Sequence, residues 1–341
     1  MKAMNTETNL QIRQNKFLIL RARLYAVSIF LIPLVILLVT YPPVNRSEKN
    51  NSDKLISEIK NPFSDISITA KAAYVWDVEG QRELYAKDEK EPLPLASLTK
   101  ITTALVALDE SAGTMKVKIT SDSIRQEGDS GLNNMEEWKL KDLIDFSLVS
   151  SSNDGMYAVA SAVESIKSSS TDAVSLSEQS DEEELDDARE NFINKMNKKA
   201  KDISLSQTFY LNETGLDASD SESGGYGSAE DMAKLFAYVI KDKPELLEPT
   251  AYGEINMQSL DGINHTAKNT NDIVGDIPNL IGSKTGYTDL SGGNLVIAFD
   301  SGLMKPIIIS VLGSTRDGRF DDVKKLVEAT MNRLANEENT E

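Results

Sequence analysis

The chain has 341 residues, 40% of them hydrophobic, with 54 acids against 36 bases and a net charge of −18. That length suffices for a sizeable core, while the acidic balance excludes a nucleic-acid partner, whose phosphates call for cationic neutralisation. Cysteine is absent and His265 is the single histidine, which excludes disulfides, thiol nucleophiles and multi-histidine zinc sites and leaves chemistry to hydroxyls, amines, carboxylates and backbone.

Residues 1–23 form a basic N-terminus, with Lys2, Arg13, Lys16, Arg21 and Arg23 against Glu7. From Leu24 to Tyr41 eighteen residues carry no charge, and the run stops at Pro42-Pro43. At the helical rise it covers about 27 Å, the hydrocarbon thickness of a bilayer. A transmembrane anchor is expected at 24–41, uncleaved because TYPPVNRS lacks a small-x-small site. Its basic flank would stay in the cytoplasm and the rest of the chain outside the cell membrane. Residues 42–66 are polar with Pro near both ends and read as a linker. The folded body is expected over 67–336, with a tail at 337–341.

AAYVWD (72–77), a turn at Glu79-Gly80 and RELYA (82–86) predict a hairpin. From Leu98 to about 240 the apolar spacing is mostly helical, as in Ile101, Leu105 and Leu108 and then in Leu140, Leu143, Ile144 and Leu148. A helical lobe is therefore expected over about 101–270. Within it residues 167–190 are dominated by acids and read as a solvated insertion, unable to bury enough surface to offset its ordering entropy. Its carboxylates lack the spacing of a calcium loop. NLVIAFD (294–300) and PIIISVLG (306–313), joined at Ser301-Gly302, predict two strands, and an amphipathic helix follows over Asp321 to Ala335. Strands at both ends with helices between predict an α/β fold, one sheet built from distant segments plus a helical lobe.

Three short motifs carry chemistry. Ser97-Leu98-Thr99-Lys100 enters the apolar helix ITTALVAL, which puts hydroxyl and amine on one face a turn apart. A serine needs a base to become a nucleophile, and with histidine so scarce a neutral lysine amine is the remaining candidate, its pKa lowered by burial or a second cation. The plain alternative for Ser97 is a helix-capping serine. A second Ser-x-x-Lys, Ser57 to Lys60, lies in the polar linker with no apolar helix behind it. Ser151-Ser152-Asn153 follows the amphipathic LKDLIDFSLVS and can present a hydroxyl and a carboxamide on one side of a loop; its plain alternative is an Asx turn. Lys284-Thr285-Gly286 would aim an amine and a hydroxyl at an anion from a strand edge, with Gly286 left bare for a ligand backbone, or it is simply a basic turn.

Taken together, in this order, the motifs resemble the penicillin-recognising serine hydrolases, with their S-x-x-K, S-x-N and K-T-G. More narrowly the chain resembles the low-molecular-mass D-alanyl-D-alanine carboxypeptidases of serine peptidase family S11. The matching stretches include ELYAKDEKEPLPLASLTKITTAL, VSSSNDGMYAVA, IGSKTGYTDLSGGNLVIA and LGSTRDGRFDD, spread over about residues 70–335. The resemblance implies the DD-peptidase/β-lactamase-like fold, an antiparallel sheet flanked by helices. It implies a D,D-carboxypeptidase acting on peptidoglycan stem peptides, inhibited covalently by β-lactams, with no cofactor or metal.

Carried over by position, Ser97 is the acylated nucleophile, Lys100 its base and Ser151 a proton relay. Asn153 would hold the substrate amide. Lys284 would lend charge that depresses the Lys100 pKa, and Thr285 would meet the terminal carboxylate beside Gly286. The oxyanion would rest on the backbone N–H groups of Ser97 and Tyr287. Arg319 would bind the carboxylate, or else pair with Asp321 or Asp322. A D,D-endopeptidase and a non-catalytic penicillin-binding or wall-sensing module remain alternatives. Gly155 stands where the family often has Ala, and Leu211-Asn212-Glu213-Thr214-Gly215 replaces a Pro-His-Gly run. His265 is expected to cap or pack in a loop.

Overall fold

NLVIAFD and PIIISVLG are apolar at almost every position, which suits strands covered on both faces. We describe a computed structural model for residues 61–169, 182–302 and 304–339, excluding the side chains of 166–187. The basic segment 1–23, the apolar run 24–41, the linker up to residue 60 and the stretch 170–181 lie outside the described residues. Among the described residues no helix is long and apolar enough to cross a membrane.

The strands are β1 (Ala72–Asp77), β2 (Arg82–Lys87), β3 (Leu93–Pro94), β4 (Lys116–Lys118), β5 (Glu137–Lys139), β6 (Phe209–Tyr210), β7 (Gly225–Gly227), β8 (Glu254–Gln258), β9 (Asn264–Lys268), β10 (Leu280–Thr288), β11 (Gly292–Asp300) and β12 (Pro306–Ser314). The helices are α1 (Thr99–Glu110), α2 (Leu140–Ser150), α3 (Asn153–Ser169), α4 (Glu182–Asp202), α5 (Ala229–Asp242) and α6 (Gly318–Glu338).

A five-stranded antiparallel sheet runs β10-β11-β12-β1-β2. The first hairpin is thus sewn to the C-terminal strands, with Ala72 opposite Leu312 and Asp77 opposite Ile307. Period-two alternation sorts its side chains between two cores. Val75, Leu295, Ile297, Ile307 and Ile309 face Phe320, Val323 and Leu326 of α6. Tyr74, Val296, Ala298, Ile308 and Leu312 join the lobe's core with Leu98, Ile101, Leu105, Phe146 and Phe236. Each such aliphatic side chain, once buried, contributes about 1.5–3 kcal/mol. The buried Asp322 locks α6 to the N-terminal segment by accepting from the Thr69 and Ala70 amides at 2.9 and 2.8 Å and from Ser314 Oγ at 2.7 Å.

Several boundaries differ from the sequence reading. Residues 61–66 are not spacer: Phe63 is buried and stacks on Tyr85, ring centroids 5.3 Å apart. Nor is 337 a free tail, because α6 reaches Glu338 and Glu337 meets Arg82 at 2.6 Å. The lobe is less helical than its apolar spacing suggests and holds three small sheets, β3-β7-β6, β4-β5 and β8-β9. Strands of two to five residues are too short to announce themselves by alternation. In the first hairpin the left-handed residue is Gln81, φ 48°, one place after Gly80. The acidic stretch also ends in order: α4 starts at Glu182 and buries Phe192, Met196 and Ala200, four residues apart. That apolar stripe begins just past residue 190, and the helix it anchors extends back into the acidic stretch.

Candidate active site

The turn before α1 is clamped from two sides. β3 pairs with β7, Leu95 N–H donates to Gly225 O at 2.9 Å, and Asn294 Nδ2 donates to the Pro94 and Leu95 carbonyls at 2.9 and 3.0 Å. These ties hold Ala96 at φ 49°, a left-handed conformation costly for a residue with a Cβ. The chain then makes a 3-10 turn, Ala96–Leu98, that runs into α1. The cap position of α1 is Leu98 and no side chain caps the helix, so Ser97 is not a capping serine.

Gly286 of β10 packs against this turn. A Cβ there would stand 2.7 Å from Leu95 O and 3.3 Å from Ser97 N. The bareness we had assigned to a ligand backbone therefore serves first to let the strand close on the Ser97 turn.

Lys100 is 0% exposed. Its Nζ lies 2.8 Å from Ser97 Oγ, 2.6 Å from Asn153 Oδ1 and 2.7 Å from Thr214 O. Burial lowers its pKa from 10.5 to about 7, opposed by the charges of Glu213 and Asp154. Near neutrality much of it is a neutral amine with two N–H donors and one lone pair. A carbonyl and a carboxamide oxygen can only accept, and the Ser97 hydroxyl alone among the three can donate. The lone pair is thereby directed at the Ser97 proton. The unfolded chain carries the extra proton between pH 7 and 10.5, so this lysine makes the fold gain stability as pH rises across that window.

The amide of Asn153 is oriented by its other end, which donates from Nδ2 to Glu127 O at 2.6 Å. Expected at a substrate amide, Asn153 here holds Lys100. Ser151 ends α2 in the left-handed region, φ 61°, where glycine is usual. Lys284 Nζ donates to Ser151 Oγ at 2.8 Å and to Thr285 O at 3.0 Å. Burial, then the charges of Lys100 and Arg319, push the Lys284 pKa well below its ordinary value. The repulsion between Lys100 and Lys284 is mutual, and burial is the largest cause of the low value at both.

Thr285 Oγ1 is hydrogen-bonded to Thr270 Oγ1, and Tyr287, two residues on, is 43% exposed at the strand's end. Arg319 pairs with neither Asp321 nor Asp322; its Nη1 donates to Gly286 O at 2.7 Å, and its Nε is buried without a partner. The structure thus gathers Ser97, Lys100, Ser151, Asn153, Lys284, Thr285, Gly286 and Arg319 in one cluster, with the more exposed Tyr287 beside it.

Four participants escaped the sequence reading. Thr214 and Glu127 act through backbone carbonyls, which carry no residue-type signal. Asn294 and Thr270 act across long sequence separations. Asn294 sits in a stretch already matched to the family, which was the one available cue. The replaced Pro-His-Gly run costs nothing at Thr214, since its carbonyl rather than its side chain meets Lys100. At Gly155 an added Cβ would lie 2.0 Å from Ser147 Oγ, so Ser147 fills the place of an alanine methyl. His265 packs on Trp138 and Phe146, and its Nε2 lies 2.6 Å from Glu136 Oε1. Among the described residues no cluster of three or more His, Cys, Asp or Glu could hold a metal ion.

A serine thus lies one helical turn from a buried lysine, with a second serine–lysine pair at a sheet edge. The family model of D-alanyl-D-alanine carboxypeptidases, peptidase family S11, matches residues 58–316, and the chain belongs to that family. It is 30% identical over 271 residues to the D-alanyl-D-alanine carboxypeptidase DacF of Bacillus subtilis, covering 78% of this chain and 63% of that relative. With DacA of Escherichia coli it shares 35% over 137 residues, 40% of this chain and 32% of the relative. The chain thus spans less than two thirds of the length of these two. Among solved structures, a penicillin-binding protein of Listeria monocytogenes with ampicillin bound superposes at TM-score 0.60 and 25% identity, over 78% of this chain and 98% of that one. A D-alanyl-D-alanine carboxypeptidase of Mycobacterium tuberculosis shares the fold at TM-score 0.63 and 24% identity, over 78% and 92%.

Proposed function

We propose that the protein is a serine-type D,D-carboxypeptidase that removes the terminal D-alanine from peptidoglycan stem peptides. The observation that carries the reading is the Lys100 amine, whose lone pair has the Ser97 hydroxyl as its one proton donor. In the reaction Ser97 Oγ bonds to the carbonyl carbon of the penultimate D-alanine while its proton passes to Lys100 Nζ. The amide C–N bond then breaks, and the departing D-alanine amine takes the proton held by Lys100, passed through the Ser151 hydroxyl, which returns Lys100 to its neutral form. Lys100 then deprotonates a water, which cleaves the ester, and hands that proton to Ser97 Oγ. The N–H groups of Ser97 and Tyr287 would hold the oxyanion; Lys284, Thr285 and Arg319 would receive the terminal carboxylate. A β-lactam would enter the same path and stop at the ester.

The apolar run 24–41 and its basic flank support an N-terminal anchor, with the catalytic body outside the cytoplasmic membrane where this substrate lies. Protease protection of spheroplasts against intact membranes tests that topology.

The decisive experiment is mass spectrometry after labelled penicillin, followed by product analysis on a pentapeptide. Label on Ser97, lost in Ser97→Ala, and release of free D-alanine are expected. Label elsewhere would sink the reading, and cleavage of cross-linked dimers alone would turn it to an endopeptidase. The acylation rate should rise through about pH 7 as Lys100 sheds its proton, because the ammonium form has no lone pair to offer.

A further inference from the structure

The Leu211 to Gly215 run and the acidic stretch leading into α4 had no task in the sequence reading, yet the fold joins them beside Lys100. Glu213 is 1% exposed and immediately precedes the carbonyl that Lys100 meets. Its own carbonyl accepts from Thr103 Oγ1 of α1 at 2.6 Å. Both of its carboxylate oxygens lie 3.2 Å from Arg189 Nη2. The Arg189 guanidinium stands 5.0 Å over the Tyr157 ring of α3. A buried carboxylate persists in ionised form only when a cation or donors compensate it, and here α4 supplies the cation. One side chain of α4 therefore clasps α3 and the run that carries the Lys100 acceptor.

We propose that Arg189 and Glu213 are a positioning pair for the base: Arg189 neutralises the carboxylate buried near Lys100, fixing the Thr214 carbonyl and moderating the negative charge that the amine experiences. The inference rests on Lys100 being the base, as read above. Lys100 is faced by Ser97 from its own turn, Asn153 and Asp154 from α3, Glu213 and the Thr214 carbonyl from the 211–215 run, and Lys284 from β10. Of these, Glu213 and Asp154 favour the protonated amine. Asp154 is met by the Ser130 hydroxyl at 2.7 Å, whereas Glu213 is met by a full charge. Losing Arg189 leaves the Lys100 ammonium as the cation that compensates Glu213 and so holds the proton on Lys100; losing the Glu213 charge releases it.

The test is the rate of Ser97 acylation by a fluorescent penicillin across neutral pH, on the full chain. Wild type is compared with Arg189→Gln, Glu213→Gln, their double variant and Arg189→Lys. In Arg189→Gln the acid limb should move up by on the order of one pH unit, and in Glu213→Gln down by a similar amount. The double variant should fall between them, and Arg189→Lys should restore most of the wild-type profile. Should Arg189→Gln fail to fold while the double variant folds, the pairing is supported and the limb of Glu213→Gln still carries the test. A merely structural role would lower rates and leave the limb in place, so an unmoved limb in Glu213→Gln overturns the pair. Wild type that is never acylated at Ser97 overturns the catalytic reading instead.

Discussion

Two lysine–serine pairs share this site, and their electrostatic surroundings have opposite sign. Lys100, beside Ser97, is buried against acceptors and feels the carboxylates of Glu213 and Asp154. Lys284, beside Ser151, is equally buried but feels the cations Lys100 and Arg319. The same two side-chain types therefore suit different tasks. Counter-charges let a proton move on and off Lys100 near neutral pH, as a base requires. No carboxylate stands among the groups that shift Lys284, so a carboxylate arriving there would supply a counter-charge and favour its charged form. Backbone strain is divided too: it lies at Ala96, before the first serine, and at Ser151 itself.

The sharpest break of this contrast is Lys284→Met. It should slow acylation by a carboxylate-bearing penicillin on the order of 1,000-fold, yet barely affect a probe whose carboxylate is esterified. Equal losses for both probes, read from labelling time courses, would erase the distinction between base and anion receptor. Next in size is Ser151→Gly. Without the relay hydroxyl, turnover should fall about 100-fold. The left-handed backbone, however, suits glycine, and the fold should gain up to about 1 kcal/mol in chemical denaturation. A variant that is both slower and less stable would show that Ser151 is held for packing.

The smallest effect concerns the floor beneath the Ser151 turn. Gly155→Ala should cost about 1 kcal/mol by crowding Ser147 Oγ, and Ser147→Ala in the same chain should recover it. A single variant as stable as wild type would mean that Ser147 simply turns aside.

Much of this was readable before any coordinates. β-rich runs bounded by turn residues announced β1, β2, β11 and β12 because those strands are long enough to stand out, and the three motifs appeared in family order because hydroxyls and amines are visible as residue types. The segment of α4 that carries Phe192 and Met196 holds its helical stripe in plain letters, just beyond the acidic stretch read as a solvated insertion. The C-terminal helix was placed within three residues at each end, its limits extended by ties to Arg82 and Thr315 that no local pattern encodes.

Residue type and order thus carried Ser97, Lys100 and Ser151 as candidates, and the class of fold. They could not carry which atoms Lys100 would meet, because two of its three partners come from α3 and the 211–215 run, 53 and 114 residues away, and one is a backbone oxygen common to every amino acid. Nor could they give the sign of the charge around each lysine. That follows from which buried groups the packing brings within a few ångströms, where low polarisability makes every neighbour count. Chemistry is written locally, while the pKa values that put it to use arise only once distant segments share one buried cluster.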